Sequence, residues 1–172
     1  MKWVNHKVTT FALIYIATRD FFLSGLTASF STVPDALEGF DFDSYKWKKR
    51  HRRVSHWLLG WVLLCALSVL QFYSSMHTLP WKVHSLEVFS VAVSRIFSSG
   101  ALSKALSILA LLSYSGFLFS LGSILHIIED SLSGSVPLIH PTKRVFSIGV
   151  IKTGSFIEYL ISFGLLGFAL FL

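Results

Sequence analysis

Residues 47–70 read WKKRHRRVSHWLLGWVLLCALSVL, a basic run that turns without interruption into an apolar one. From Val54 to Trp81 there is no Asp, Glu, Lys or Arg, and the same holds from Ala105 to Ile128. Crossing a hydrocarbon core of about 30 Å takes about 20 helical residues, so each run is long enough to span a bilayer. A third span is expected within Ser147–Leu172, where only Lys152 and Glu158 interrupt the run and the closing YLISFGLLGFALFL is wholly apolar.

Composition agrees with that reading. The chain has 172 residues, of which 53% are hydrophobic and 14% charged, and its mean hydropathy is +0.64. Such values lie outside the range of ordinary soluble globular domains and indicate an integral membrane protein. Apolar residues recur at helical spacing and sustained alternation is missing, so the expected fold is all-α. It is a polytopic transmembrane helical bundle spanning residues 1–172 as one domain, without repeats or a soluble module. Val83–Phe97, with Glu87 and Arg95 among apolar residues, reads as an interfacial or partly buried helix. The lone Cys65 sits inside a span, which excludes a disulfide framework or a thiolate metal site within this chain and leaves packing as its role.

The N-terminal apolar segment begins after Lys2 and Lys7 in the manner of a signal peptide, yet Arg19 and Asp20 stand in its middle. A retained segment is therefore expected. An unpaired charge at the bilayer centre costs at least about 2.5 kcal/mol, so the chain should turn at Arg19 and Asp20 and form an N-terminal helical hairpin. Each arm of about a dozen residues would measure about 18 Å, short of a full crossing.

The net charge of +6 is uneven: Lys46, Lys48, Lys49, Arg50, Arg52 and Arg53 precede one span, and Lys143 and Arg144 precede the last. The positive-inside bias puts both loops in the cytoplasm of a multi-pass plasma (inner) membrane protein, with Leu172 emerging on the far side. Polybasic runs also bind nucleic-acid backbones. At a juxtamembrane position, contact with anionic lipid is the better reading, and no specific nucleic acid is expected. Nothing in the sequence fixes an oligomeric state.

Histidines and acids gather at the ends of these segments. His6 opens the first, Asp35 and Glu38 follow it in STVPDALEG, His51 and His56 stand just before the second, and His126 and Asp130 close a span. With span directions alternating, all of them fall on the cytoplasmic side. His126 and Asp130, four apart, share a helix face. His51 and His56, five apart, would converge if the chain is irregular at His51 and Ser55 caps a helix that begins at His56. Neutral imidazoles and carboxylates suit a divalent cation, above all zinc. His77, His84 and His140 have no partner pattern and read as loop residues, and Asp41 and Asp43 read as solvated charge. Glu129 adjoins Asp130 but lies about 100° around the helix from it; it could act as a general base only if the helix end unwinds, and otherwise reads as a terminal charge facing water or a lysine. Trp47, Trp57, Trp61 and Trp81 fit an interfacial aromatic belt.

Taken in order, NHKVTT, PDALEG, HRRVSH and GSILHIIEDSLSGSVP resemble the YdjM family of small bacterial and archaeal membrane-bound metal-dependent hydrolases. The match falls on His6, on Pro34 and Asp35, on His51, Arg52, Ser55 and His56, and on Gly122, His126, Asp130, Ser133 and Pro137. The chain departs from the pattern at Leu37 and Glu38, where the family has Asp and His. Either Glu38 substitutes as an oxygen ligand or one metal position is lost.

The resemblance implies metal ligation by His6, Asp35, His51, His56, His126 and Asp130, with Asp35, Glu38 and Arg52 as catalytic candidates. It also implies a distant similarity to zinc-dependent phospholipase C and the P1-type nucleases. A zinc ion would then activate water against a phosphoester, and Arg52 would pair with a phosphate oxygen. The location at a membrane face favours a membrane lipid headgroup as substrate. A non-catalytic membrane protein, with a structural metal or an ion-handling or partner-recruiting role, is the alternative. Catalytic zinc keeps an open coordination position and structural zinc does not.

Overall fold

The computed structural model describes residues 1–39, 54–98, 100–141, 143 and 146–172, the side chain of Trp81 excepted. The basic run with His51 and Arg52, the acids Asp41 and Asp43, Trp47 and Arg144 therefore lie outside the described residues. Within them the protein is all-helical: α1 (Trp3–Thr18), α2 (Phe21–Phe30), α3 (Val33–Glu38), α4 (Leu58–Met76), α5 (Ser85–Ser98), α6 (Ala101–Ser131) and α7 (Phe156–Phe171). Short 3-10 turns occupy Val54–His56 and Pro80–Lys82, and a single bridge pairs Val136 with Phe146.

Two of these helices, α4 and α6, are long and apolar enough to cross a membrane. At 1.5 Å per residue, the 19 residues of α4 measure about 28 Å and the 31 of α6 about 46 Å. Five serines inside α6 cost little in an apolar setting because each is bonded within the helix: Ser107, Ser113, Ser120, Ser123 and Ser131 donate to carbonyls three or four residues back. The third apolar run is helical over only part of its length. Helix begins only at Phe156, capped by the Ser155 hydroxyl, and Gly154 ahead of it has φ 76. Sixteen residues remain, about 24 Å, so α7 is an apolar helix shorter than α4 and α6.

The chain does turn at Arg19 and Asp20. Arg19 closes α1 in the left-handed region, and the Asp20 carboxylate caps α2 by accepting from the Leu23 N–H at 2.8 Å. The two charges do not pair with each other. Asp20 also accepts from the Ser85 N–H and hydroxyl, which joins the turn to the start of α5, while Arg19 donates to the Ala169 carbonyl near the end of α7. His84, read as a partnerless loop residue, lies 3.7 Å from Asp20 and is largely exposed.

The apolar core joins Phe72 on α4, Val88 on α5 and Tyr114, Phe117 and Leu118 on α6 with Ile14 and Leu23 of the hairpin. Backbones approach most closely at Gly122. A Cβ there would stand 2.6 Å from the Thr27 carbonyl oxygen and 3.0 Å from the Ser31 nitrogen, so glycine lets α2 lie directly on α6. Trp61 departs from the aromatic-belt expectation: it is buried against Phe119 and its indole N–H donates to the Ser55 carbonyl. Trp57 keeps an exposed bond to the Ile139 carbonyl.

Candidate metal centre

Four segments deliver polar side chains to one end of the bundle. His6 sits on the first turn of α1, and Asp35 on α3, a six-residue helix started by Pro34 and ended by Gly39 at φ 70. His56 ends the 3-10 turn before α4, and His126 and Asp130 lie one turn apart near the end of α6. The expected Ser55 cap is corrected. Helix α4 starts at Leu58 with no side-chain cap, and its first N–H groups donate instead to the Pro137 and Leu138 carbonyls. Ser55 is thereby free to bond elsewhere, and its hydroxyl donates to Glu38 at 2.6 Å.

Asp35, His56, His126 and Asp130 converge, each offering one ligand atom within 4.8 Å of all the others. His56 Nε2 faces His126 Nε2 at 3.2 Å. Asp35 Oδ1 lies 3.4 Å from the first of these nitrogens and 3.5 Å from the second. Asp130 Oδ2 lies 3.5 Å from His56 Nε2 and 3.8 Å from His126 Nε2. Both imidazoles are fully buried and Asp130 nearly so.

His6 adjoins this set through the other oxygen of the same carboxylate, its Nε2 standing 3.4 Å from Asp130 Oδ1, and its ring lies against that of His126, tilted by 34° with centroids 3.9 Å apart. The Met1 amine also reaches Asp130 Oδ1, at 2.6 Å.

The donor chemistry fits a divalent cation. Two imidazole nitrogens and two carboxylate oxygens are a set that zinc accepts. His6 Nε2 is buried with no hydrogen-bond partner among the described residues and stands 3.4 Å from Asp130 Oδ1. Two of the three histidines are also backed on the opposite ring nitrogen by an acid, as metal-ligating histidines commonly are. Glu38 Oε1 lies 3.1 Å from His56 Nδ1 and Glu129 Oε2 lies 2.6 Å from His6 Nδ1. His126 differs, since its Nδ1 is buried without a hydrogen-bond partner among the described residues.

The same groups compete for protons. Burial by itself works to lower the His56 pKa, but hydrogen bonds to Asp130, Asp35 and Glu38 outweigh it and push the imidazole up to about 10. Burial likewise works to raise the Asp35 carboxyl, yet His126 and His56 hold it well below the usual carboxylate range.

Of the expected ligands, the structure gathers His6, Asp35, His56, His126 and Asp130, while His51 and Arg52 lie outside the described residues. Glu38 enters on the far side of His56 from the four-donor cluster and touches Nδ1, so its contact is with a ligand's ring.

Glu129 is corrected outright. It is 3% exposed, accepts from the Thr10 hydroxyl as well as facing His6, and sits on a helix that runs past it to Ser131. Reckoned from His126 instead of from Asp130, its position at i+3 does place it on the site's face. Two further contacts are absent from the sequence reading. The Trp3 indole N–H donates to Asp35 Oδ2 at 2.7 Å. Fully buried Glu158 of α7 accepts from the Lys2 N–H, the Gly154 N–H and the Asn5 amide, which anchors the start of α1 beside the site.

Comparison with known protein families, with curated proteins and with solved structures finds no match to this chain.

Proposed function

We propose that this chain is a membrane-bound metal-dependent hydrolase of the YdjM type that acts on a phosphoester, such as a phospholipid headgroup, at the cytoplasmic face of the inner membrane. In this reading it is a polytopic helical bundle in which the hairpin α1–α2 and the helix α7 complete what α4 and α6 begin. The observation that carries the proposal is the convergence of Asp35, His56, His126 and Asp130 from three separate segments at the end of an apolar helix bundle.

The residues named would hold one zinc ion, with His6 beside them. A zinc ion there would bring a bound water to a pKa of about 7 and offset negative charge on a phosphoryl group. The protein's own part is to fix the ligands. Glu38 and Glu129 orient the His56 and His6 rings, Ser55 orients Glu38, and Trp3 and Thr10 hold Asp35 and Glu129. Arg52, four residues before His56 in the sequence, supplies the phosphate-pairing guanidinium.

Burial of the cluster supports a second reading. Four protein donors can fill a tetrahedral zinc ion completely, which would make the metal structural and the protein non-catalytic. Elemental analysis of detergent-purified protein, X-ray absorption at the metal edge and headgroup release from mixed bacterial lipids together decide between the two. A metal with an exchangeable water and chelator-sensitive release is the expected result. A four-coordinate metal with protein ligands alone and no turnover establishes the structural reading, and a protein without metal removes both.

A further inference from the structure

Beside the metal centre lies a cavity of about 230 Å³ with no polar group on offer. Leu58 and Val136 close one side of it, Ile127 and Ile128 of α6 a second, and Phe146 and Ile148 of the returning chain a third. Ser131 contributes the one hydroxyl, which is already donated to the Ile128 carbonyl. Backbone bonds hold the wall in place: Val136 pairs with Phe146, and the Ile148 N–H donates to the Ser131 carbonyl at 2.8 Å.

The cavity shares its frame with the metal centre. Leu58 follows His56 by two residues, Ile127 follows His126, and Ser131 follows Asp130, so the lining residues sit on the helix faces next to those that carry the ligands. The space is open in part, since Ile128, Phe146 and Ile148 are each between 40% and 49% exposed. It equals the share of about seven or eight liquid water molecules, yet its apolar lining offers water no partner and favours hydrocarbon in its place. The cavity also lies against Leu58 at the start of α4 and Ile127 and Ile128 near the end of α6, the two helices long and apolar enough to cross a membrane.

We propose that this cavity receives one acyl chain of a membrane lipid and thereby presents the lipid's phosphoester to the metal centre. The proposal deepens the hydrolase reading and rests on it for the fate of the headgroup. The binding of the chain rests on the cavity alone. Filling the cavity with Ile148→Trp, or enlarging it with Phe146→Ala, changes a half-exposed wall residue and leaves every metal-centre side chain in place.

The test uses the full chain in phosphatidylethanolamine nanodiscs doped with a phosphatidylglycerol that carries a diazirine midway along one acyl chain. Photolysis is expected to concentrate adducts on Ile127, Ile128, Phe146 and Ile148, and Ile148→Trp should cut them about tenfold while metal content is unchanged. Phe146→Ala should keep the adducts on Ile127 and Ile128. Adducts spread along the outer faces of α4 and α7 with no enrichment at the cavity overturn the proposal. So does their absence from the cavity, as when a second copy of the chain fills it.

A parallel assay compares turnover of the long-chain lipid with that of a short-chain soluble phosphoester bearing the same headgroup. Selective loss of long-chain turnover in Ile148→Trp supports both readings. Cavity labelling with no turnover of either ester removes the hydrolase and keeps the acyl site. Turnover of both esters without cavity labelling does the reverse.

Discussion

Glu38 Oε1 lies 3.1 Å from His56 Nδ1, and the opposite nitrogen of that ring is the one that meets Asp35, His126 and Asp130. An acid behind a ligand histidine fixes its tautomer and raises its basicity, and losing one commonly costs about 10–100-fold in metal affinity. Glu38→Ala should therefore weaken metal binding by that factor and Glu38→Gln by less. Asp35→Asn should cost more than either, because Asp35 faces the cluster itself. Titration of chelator-stripped protein with zinc against a competing indicator gives the order, and equal affinities for Glu38→Ala and wild type would remove Glu38 from the site.

His56→Ala takes away a donor at the centre of the cluster while leaving α4, which begins two residues later, intact. Bound metal should drop below one equivalent with far-ultraviolet circular dichroism unchanged. His77 is the matched control: it ends α4 at φ 53 on the exposed far side, so His77→Ala should keep full occupancy. Elemental analysis after removal of loosely held ions reads both.

Gly122→Ala should damage the site without touching a ligand. Its methyl group would meet the Thr27 carbonyl at 2.6 Å, an atom of rigid backbone, and must push α2 off α6. Overpacking of this kind costs about 1–3 kcal/mol. Asp35 follows α2 directly and moves with it, so metal affinity should fall together with the melting temperature. A variant that melts lower but binds zinc as tightly as wild type would show that α3 is held independently of α2.

The hairpin and the α4 and α6 segments were legible because their signals are local: a charge pair inside an apolar stretch, and runs free of charge longer than a bilayer is thick. His126 and Asp130 were legible by helical spacing. Glu129 was not, because its helical angle to Asp130 points away from the site and its partners, His6 and Thr10, lie on a helix more than a hundred residues away. Ser55 looked like a helix cap by residue type, yet α4 draws its first hydrogen bonds from Pro137 and Leu138, a tertiary contact that no local pattern encodes. The shortening of the third apolar stretch follows from Gly154 and from the pairing of 148–151 with the end of α6, and hydropathy is blind to both.

Metal-free protein should lose stability as pH rises. The His56 imidazole titrates at about 10 in the fold against an ordinary value of 6.5, because burial is outweighed by its three carboxylate partners. A raised pKa stabilises the fold fully below 6.5, and the contribution disappears as pH climbs through the folded value. Melting temperatures of chelator-treated protein should therefore decline between pH 6.5 and 10, and His56→Ala should flatten that decline. Zinc loading should flatten it as well, since ligation requires the neutral ring, and binding at pH 7 should release a proton that buffers of different ionisation enthalpy reveal by calorimetry. A metal-free melting temperature level across this window would mean that His56 is neutral in the fold.

Leu172 and the metal centre should lie on opposite sides of the membrane. Helix α7 runs alongside α1 in the same direction: Glu158 meets Asn5, Ser162 meets Thr9, and the Ala169 carbonyl meets Arg19 at the hairpin turn. The start of α1 carries His6, so the end of α7 points away from the site. In a Cys65→Ser background, Lys143→Cys should react with a membrane-impermeant maleimide only after the cytoplasmic face is opened, as the positive-inside bias requires. Leu172→Cys should react in intact cells. Labelling of both positions from one side would mean that α7 doubles back within the bilayer, and the bundle would then cross an even number of times.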